Sequence, residues 1–290
     1  MTKENGVKVL TDMVADFVAH IGKKLPDDVV EKLEELGSQE SAALPKVLYE
    51  TMTKNQGLAV ELNRPSCQDT GVLQFWLKCG TNFPYINELE ALLKEAVVQA
   101  TFAAPLRHNS VETFDEYNTK KNVGKGTPTV WWDIVPNSDK CEIYAYMAGG
   151  GCTLPGKAMV LMPGAGYEGI TDFVLDQMTT YGLNACPPLL VGVGVGTSVE
   201  TAALNSKKAL MRPIGSHNDN ANAAKINQTC KISSSINRGN TNYSSYVFPL
   251  FIEQILFICF CVMNFSFFLF VLYILLHISE NIVHVILYFS

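Results

Sequence analysis

The sequence predicts a mixed α/β fold that is helical at its start and then forms a sheet with functional loops at its strand ends. Two observations support this prediction. Apolar residues recur at helical spacing through the N-terminal part of the 290-residue chain, and short apolar runs typical of strands follow. Polar loops rich in Gly and Pro lie beside these runs, where binding residues often occur.

Several segments have the pattern of amphipathic or capped helices. The segment from Leu10 to Ile21 carries a clear apolar face. Pro26 followed by two aspartates is typical of a helix start, and Gly37 of a helix end. The other predicted helices are one that carries Leu44–Met52, then Glu88–Phe102, Tyr167–Tyr181, and Ser198–Leu210 with a capping box at Thr197–Glu200.

The strand-like segments are short and apolar. Val72–Leu77 follows a polar turn, and Leu189–Val195 has the composition of a buried strand. Thr129–Val135 and Glu142–Met147 are separated by Pro-Asn-Ser-Asp-Lys and a cysteine. This spacing predicts that the two strands pair as a β-hairpin.

The composition narrows the function classes. A formal net charge of −6 without a basic stripe argues against a nucleic-acid partner. The first residues lack a basic segment followed by an apolar one, so no secretory signal is expected and a cytoplasmic location is predicted. Eight cysteines scattered over a long chain favour reduced thiols, metal ligands or core residues over a disulfide framework.

A change of composition near residue 225 predicts a boundary between a catalytic domain, residues 1–225, and an atypical tail, residues 226–290. The tail turns to Asn, Ser and Thr, and then to Phe, Ile, Leu and Tyr. Residues 255–276 are almost continuously apolar and long enough to span a bilayer of about 30 Å. Two interpretations stand: a membrane anchor, or a stretch foreign to the evolved fold, such as a translated intron or read-through.

The stretch from Asn63 to Gly71 places a thiol, an amide, a carboxylate and a hydroxyl side by side, in Cys67, Gln68, Asp69 and Thr70. Pro65 stiffens the approach, and Gly71 permits backbone conformations that other residues resist. One interpretation is a metal-binding thiolate beside a carboxylate that transfers protons. The other is an ordinary polar turn with a buried cysteine, because free cysteine is among the most buried residue types.

Three further loops carry candidate ligand groups. Arg107 has the planar guanidinium that clamps a carboxylate through two hydrogen bonds, although a surface ion pair is the commoner fate of an arginine. Gly149–Cys152 contains three glycines whose backbone N–H groups suit an anion nest, with a flexible strand exit as the alternative. Cys186 precedes two prolines that fix the backbone at the entrance of the predicted last strand.

Together these motifs resemble a known family. They are similar in order and spacing to the alpha subunits of L(+)-tartrate dehydratase and, more distantly, to the N-terminal domain of class I fumarases. The likeness extends from near the N-terminus to about Gly215, and its Ala148–Gly156 part is closer to the tartrate type. The motifs that carry it are Leu62–Gly71, Ala104–Asn109, Met147–Gly156 and the segment from Asn184 to Gly215.

The resemblance implies an iron–sulfur hydro-lyase, with a [4Fe-4S] cluster that is held by three cysteines and leaves one iron open as a Lewis acid. It implies that Cys67 and Cys186 are cluster ligands and that Asp69 is the general base. Dehydration of L(+)-tartrate to oxaloacetate is the implied reaction, with fumarate–malate interconversion as the alternative. The residues implied to contact the dicarboxylate substrate are Gln68, Thr70, Arg107, Gly150 and Gly151.

One part of the family pattern is missing. The family's third ligand cysteine lies in a Gly-Cys-Trp-Ala-like segment, and no such segment follows Gly215. Cys152 belongs to the glycine motif and is not a ligand by resemblance. The resemblance also implies a beta subunit that completes the pocket, in a heterotetramer of two alpha and two beta chains. The competing hypothesis is a truncated or membrane-tethered homologue without catalysis that only binds that subunit. The remaining cysteines of the tail, which lie in unrelated surroundings, are Cys230, Cys259 and Cys261.

Overall fold

The computed structural model describes residues 2–153, 156–185, 188–225, 270–279 and 282–289. The predicted mixed α/β fold is confirmed, with helices first and a sheet after them. The strands are β1 (Leu73–Gly80), β2 (Thr129–Val135), β3 (Cys141–Met147), β4 (Phe270–Ser279) and β5 (Ile282–Phe289). The helices are α1 (Lys3–Ile21), α2 (Asp27–Gln39), α3 (Ala43–Glu61), α4 (Leu89–Ala103), α5 (Gly150–Thr153), α6 (Gly166–Tyr181) and α7 (Val199–Leu210), with 3-10 turns at Pro163–Ala165 and Gly182–Ala185.

Helix α1 is the first layer of the core. It begins where the Thr2 hydroxyl accepts a hydrogen bond from Asn5 N at 3.3 Å, which satisfies one of the free N–H groups of the first turn. Its apolar face, predicted from the sequence, is buried and packs against α4. The buried residues of this face include Leu10, Val14, Phe17, Val18 and Ile21.

Hydrogen bonds from distant parts of the chain hold α2 and α3 in place. The backbone N–H of Ile214 donates to Asp28 Oδ2 at 2.9 Å, which joins the segment after α7 to the start of α2. The backbone N–H of Leu25 donates to Gln56 Oε1 on α3 at 3.0 Å. These two hydrogen bonds fix α2 relative to α3 and to the segment after α7.

The sheet has the strand order β2-β1-β3-β4-β5. β1 pairs in parallel with β2, with Trp76 opposite Trp131, and antiparallel with β3, with Leu73 opposite Met147. β4 then pairs antiparallel with β3, and β5 with β4. The predicted hairpin between β2 and β3 is therefore wrong. Because β1 lies between them, the two strands that are neighbours in sequence never touch along their edges.

The antiparallel pairing of β1 and β3 decides where the polar loops meet. The first residue of β1, Leu73, lies opposite the last residue of β3, Met147. The turn that precedes β1 and the glycine motif that follows β3 therefore emerge at the same edge of the sheet. The prediction that the sheet carries site loops at its strand ends is confirmed for these two loops.

The segment before α7 departs from its prediction. Leu189–Val195 is irregular rather than a strand, and its glycines lie directly against α7. A side chain at Gly192 would overlap the Ser206 carbonyl, and one at Gly194 would overlap the Ala202 carbonyl. The backbone of this segment thus packs closely against the backbone of α7, which the two glycines permit, and it does not pair with a strand. The N-cap of α7 is Ser198, whose hydroxyl accepts from Thr201 N at 3.3 Å, so the predicted cap at Thr197 is displaced by one residue.

The tail lies largely outside the described residues. Of the predicted apolar span 255–276, residues 255–269 are not described, and the remainder belongs to β4. No helix in the described ranges is long and apolar enough to cross a bilayer. The boundary at residue 225 stays a prediction.

Candidate functional site

The turn that contains Cys67 is anchored between α1 and α3. The backbone N–H of Ser66 donates to the carbonyl of Gly22, just beyond α1, at 2.9 Å. The side-chain amide of Asn55, on α3, donates to the carbonyl of Ser66 at 2.9 Å. Both hydrogen bonds fix the backbone immediately before Cys67, so the turn enters the site in one orientation.

Cys67 is buried, with 6% of its surface exposed, and belongs to the main apolar core. Its sulfur accepts a hydrogen bond from the backbone N–H of Asp69 at 3.1 Å. An N–H group directed at sulfur is the contact that a thiolate accepts. Both interpretations of this turn are consistent with burial, and a thiol sulfur accepts such a hydrogen bond as well, so metal binding by Cys67 stays a prediction.

Asp69 is the buried carboxyl of the site, with 3% of its surface exposed. Its Oδ2 atom accepts a hydrogen bond from the backbone N–H of Cys152 at 3.3 Å. Burial raises the pKa of Asp69, while hydrogen bonds from Cys152 and Gly149 and the charge of Arg107 lower the same pKa. A carboxylate in this position is shielded from water and remains basic.

Gly149 lets the glycine motif close over Asp69. A Cβ atom at this position would overlap the Asp69 carboxylate and the carbonyl of Gly71. The close backbone approach that the glycine motif predicts is therefore real, and it is made to a side chain of the protein. Gly71 differs from its expectation. A Cβ atom there would meet Leu73 N at 3.4 Å, an ordinary contact, and its φ is not in the left-handed region.

Thr70 connects the turn to the loop that carries Arg107. The backbone N–H of Arg107 donates to the Thr70 hydroxyl oxygen at 2.9 Å, and the hydroxyl lies 3.4 Å from the Arg107 carbonyl. Thr70 is buried, and its hydroxyl is occupied by these backbone groups. The geometry gives Thr70 a positioning function, and its predicted contact with substrate stays untested.

Arg107 and Gln68 form the open side of the site. The Arg107 side chain is exposed, and its Nη1 atom donates to Gln68 Oε1 at 3.2 Å. Its charge also reaches the Asp69 carboxyl. A planar cation held by a neutral amide keeps its charge available, which suits a carboxylate ligand better than an arginine already paired with an acid.

Gly150 and Gly151 begin the short helix α5 and are both exposed. A Cβ atom at Gly150 would contact nothing within 4 Å. These two glycines therefore border open space beside the buried carboxylate. Their predicted contact with substrate remains a prediction.

Two residues of the site escaped the sequence interpretation. Tyr146, on β3, is 1% exposed, and its hydroxyl accepts a hydrogen bond from Lys207 Nζ, on α7, at 3.3 Å. Burial raises the pKa of Tyr146, and the charges of Cys152 and Asp69 raise it further. A signal for Lys207 was present, because it lies three residues before the buried Leu210 on the inward face of α7.

The described residues do not complete a ligand set for a metal cluster. No group of three or more His, Cys, Asp or Glu side chains in the described ranges is placed to hold a metal ion. Cys67 supplies one buried sulfur with a directed N–H group, while Cys186 lies outside the described residues. That the two sulfurs meet around one cluster stays a prediction.

Comparisons with known proteins identify the family of the chain. The family described as fumarate hydratase (Fumerase) matches residues 11–241. An Escherichia coli protein named L(+)-tartrate dehydratase subunit alpha is 55% identical over 224 residues, 77% of this chain and 74% of the relative. A Shigella sonnei protein of the same name is 54% identical over the same shares. A Methanocaldococcus jannaschii relative is 34% identical over 223 residues, 75% of this chain and 77% of its own. The resemblance stated from the motifs is confirmed.

Proposed function

The chain belongs to the fumarate hydratase (Fumerase) family, and from this premise we propose that it is the alpha subunit of a hydro-lyase that dehydrates L(+)-tartrate to oxaloacetate. Hydro-lyase chemistry is common to the family and to the tartrate dehydratases. We propose tartrate rather than fumarate as the substrate because relatives at 54% and 55% identity carry the tartrate dehydratase name.

The environment of Asp69 is the observation that carries the proposal. Dehydration of a 2,3-dihydroxy acid removes a proton from one carbon and hydroxide from the next. Asp69 is buried, held by the Cys152 backbone N–H at 3.3 Å and lies in the field of Arg107. As a carboxylate it takes the carbon-bound proton, and the guanidinium stabilises the charge that develops on the adjacent carboxylate.

The other side chains bind and orient the substrate in this proposal. Arg107 clamps one carboxylate, the Gln68 amide beside it contacts a substrate oxygen, and the N–H groups of Gly150 and Gly151 border the same space. Thr70 holds the Arg107 loop through two backbone contacts. Alignment of substrate against a fixed base is itself a large part of catalysis.

We include a [4Fe-4S] cluster in the proposal because the family implies it, with Cys67 and Cys186 as ligands. The sequence lacks the family's third ligand segment after Gly215, and the described residues hold no complete ligand set. This mismatch favours the second candidate function, a non-catalytic homologue that binds the beta subunit. No step of the proposed chemistry is assigned to the cluster here.

The test is anaerobic co-expression of the full chain with a tartrate dehydratase beta subunit. Oxaloacetate formation is measured with L(+)-tartrate, and fumarate hydration with the same preparation. We expect turnover of tartrate in excess of fumarate, and an Asp69→Asn variant that is folded and about 100- to 10,000-fold slower. Iron and sulfide are measured on both proteins.

The outcomes separate the two candidate functions. About four irons per chain with tartrate turnover supports the dehydratase. Folded, iron-free and inert protein that still co-purifies with the beta subunit supports the non-catalytic homologue. A faster reaction with fumarate than with tartrate would replace the proposed substrate and leave the hydro-lyase assignment in place.

A further inference from the structure

Lys207 is a half-buried cation for which the proposed chemistry has no use. It lies on α7, and its Nζ atom is 3.3 Å from the hydroxyl of Tyr146 and 4.4 Å from the centre of the tyrosine ring. Burial lowers its pKa to about 8. Within the part of the chain that the structure describes, no carboxylate lies within ion-pair distance of this ammonium group. Burial of an ammonium group without a partner carboxylate costs free energy, which points to a role of Lys207 in its contact with Tyr146.

The contact with Tyr146 has a defined direction. An ammonium group has three donors and no acceptor, so the tyrosine oxygen accepts the hydrogen bond. Burial raises the pKa of Tyr146 well above 10, so its own proton stays in place. That O–H group is then left to donate elsewhere, and the groups that oppose ionisation of the phenol are Cys152 and Asp69. By occupying the oxygen as an acceptor, Lys207 leaves the tyrosine O–H free to donate to another group.

We propose that Lys207 is a positioning residue of the active site, which acts through the Tyr146 hydroxyl to hold the Asp69 carboxylate and Cys152 in their mutual arrangement. The proposal rests on the proposed function, in which Asp69 is the base. Two hydrogen bonds frame the arrangement: Lys207 Nζ donates to the Tyr146 hydroxyl at 3.3 Å, and Cys152 N donates to Asp69 Oδ2 at 3.3 Å. The charges of Cys152 and Asp69 act on the buried Tyr146 between them. No contact between Lys207 and substrate is required.

The neighbouring Lys208 supplies a matched control. It forms an ion pair with Asp133 at 2.6 Å, and its Nζ atom lies 4.5 Å from the Trp76 ring centre, away from the contacts of Lys207. Lys208→Met removes one lysine charge from α7, as Lys207→Met does, at the next residue of the helix. A general effect of altering α7 therefore appears in both variants, and a specific one only in Lys207→Met.

The experiment compares Lys207→Met, Lys207→Arg, Tyr146→Phe, the double variant with Lys207→Met and Tyr146→Phe, and Lys208→Met in the full chain with its beta subunit. We expect Lys207→Met to lower kcat about 10- to 100-fold, the loss of one hydrogen bond to a charged group, with KM changed less than about threefold. Lys207→Arg recovers most of the activity. The double variant is no slower than Tyr146→Phe, because the lysine acts through the hydroxyl.

The pH profile distinguishes positioning from support of the fold. The groups that face Lys207 are the Tyr146 hydroxyl on β3 and Cys152 on α5. Above pH 8 the neutral amine of Lys207 becomes an acceptor, and the tyrosine proton turns toward it. We therefore expect kcat to fall on the alkaline side near pH 8 in the wild type and at higher pH in Lys207→Arg, since an arginine stays charged. A purely structural lysine predicts the same alkaline limb in both.

Failure of the inference and failure of the proposed function look different. A wild type that is inert with tartrate and fumarate refutes the proposed function. An active wild type whose kcat and pH profile are unchanged in Lys207→Met refutes the inference alone. Unfolding free energies of the metal-free chain give an independent measurement. Additive effects of Lys207→Met and Tyr146→Phe would show that the two side chains are not coupled, and that result would also refute the inference.

Discussion

At the scale of single residues, the proposed general base Asp69 combines burial with polar and charged neighbours. Its carboxylate is buried, which raises its pKa and makes it a stronger base. The Cys152 backbone N–H holds the carboxylate at 3.3 Å, and the Arg107 charge stabilises its ionised form. The two influences oppose each other, and burial is the larger, so the net pKa of Asp69 lies above that of an exposed aspartate.

Gly149 is the residue whose substitution tests this arrangement most directly. In Gly149→Ala the new methyl group would occupy the position of the Asp69 carboxylate. We expect a loss of about 1–3 kcal/mol in the free energy of unfolding, from overpacking. Displacement of the base by about 1 Å would lower kcat about 100-fold. Urea unfolding and steady-state kinetics measure the two effects.

Gly150→Ala is the matched control for that prediction. A methyl group at Gly150 would contact no atom within 4 Å, although the two glycines are adjacent. We expect the unfolding free energy of Gly150→Ala to remain within about 0.5 kcal/mol of the wild type. Equal destabilisation by both substitutions would show that the glycine motif does not close over Asp69.

The residues of the site were predictable from sequence to different degrees. Cys67 and Asp69 stand in one turn, so their proximity followed from the sequence, although the burial of the carboxylate did not. The contact of Asp69 with Cys152 joins residues 83 positions apart, and only the pairing of β1 with β3 brings them together. Tyr146 looked like an ordinary strand position. The helical spacing of Lys207 from Leu210 marked an inward position, but its contact with the Tyr146 hydroxyl is non-local and could not be predicted.

At the scale of elements, the sheet explains both the successes and the failures of the sequence prediction. The apolar runs identified β1, β2 and β3 within a few residues, because a strand is a local pattern. Strand neighbours are a non-local property. In the structure, burial is almost continuous along the central strand β1 and partial along the edge strand β2.

The N-cap of α7 gives a prediction at this scale. The Ser198 hydroxyl accepts from Thr201 N at 3.3 Å and satisfies one free N–H group of the first turn. We expect Ser198→Ala to lower the free energy of unfolding by about 1 kcal/mol. Thr197→Ala, one residue before the cap, should change it by less than about 0.5 kcal/mol. Thermal and urea unfolding decide between them, and the reverse order would restore the cap that the sequence predicted at Thr197.

The contact between α2 and the segment after α7 predicts a dependence of stability on pH. Burial raises the pKa of Asp28 above its ordinary value of 3.8, and hydrogen bonds from Ile214 N and Val29 N only partly oppose this. A raised carboxyl pKa means that the folded state holds the proton more tightly than the unfolded state. The contribution of Asp28 to stability is therefore largest below the unfolded pKa and falls as pH rises through the folded one.

Asp28→Asn removes that dependence. The amide keeps an oxygen that accepts one of the two backbone hydrogen bonds, at Ile214 N (2.9 Å) or Val29 N (3.0 Å), and it does not titrate. As the pH rises from the unfolded pKa of 3.8, we expect a smaller decrease in the unfolding free energy than in the wild type. Urea titrations across this range measure it. An identical slope in the two proteins would mean that Asp28 does not titrate differently on folding.

At the scale of the whole molecule, the described part of the site is closed on one side and open on the other. Asp69, Cys67 and Tyr146 are buried in the core, whereas Arg107, Gly150 and Gly151 are exposed. The cation whose charge reaches Asp69 is Arg107, and a dicarboxylate has a second carboxylate to neutralise. The proposed beta subunit would cover this open side, so that neither chain holds a complete site alone.

This division of the site predicts that the chain depends on its partner for turnover but not for folding. The isolated chain should give a cooperative unfolding transition, since its apolar core is continuous from α1 through the sheet to Leu210. Turnover of L(+)-tartrate should be below about 1% of the rate of the complex, because a base without a fully bound substrate loses most of its alignment. Titration of the beta subunit into the metal-loaded chain, with oxaloacetate as the readout, measures the stoichiometry at which activity saturates. Full activity of the isolated chain would show that its own residues close the pocket, and the open side would then have to be covered from within the chain.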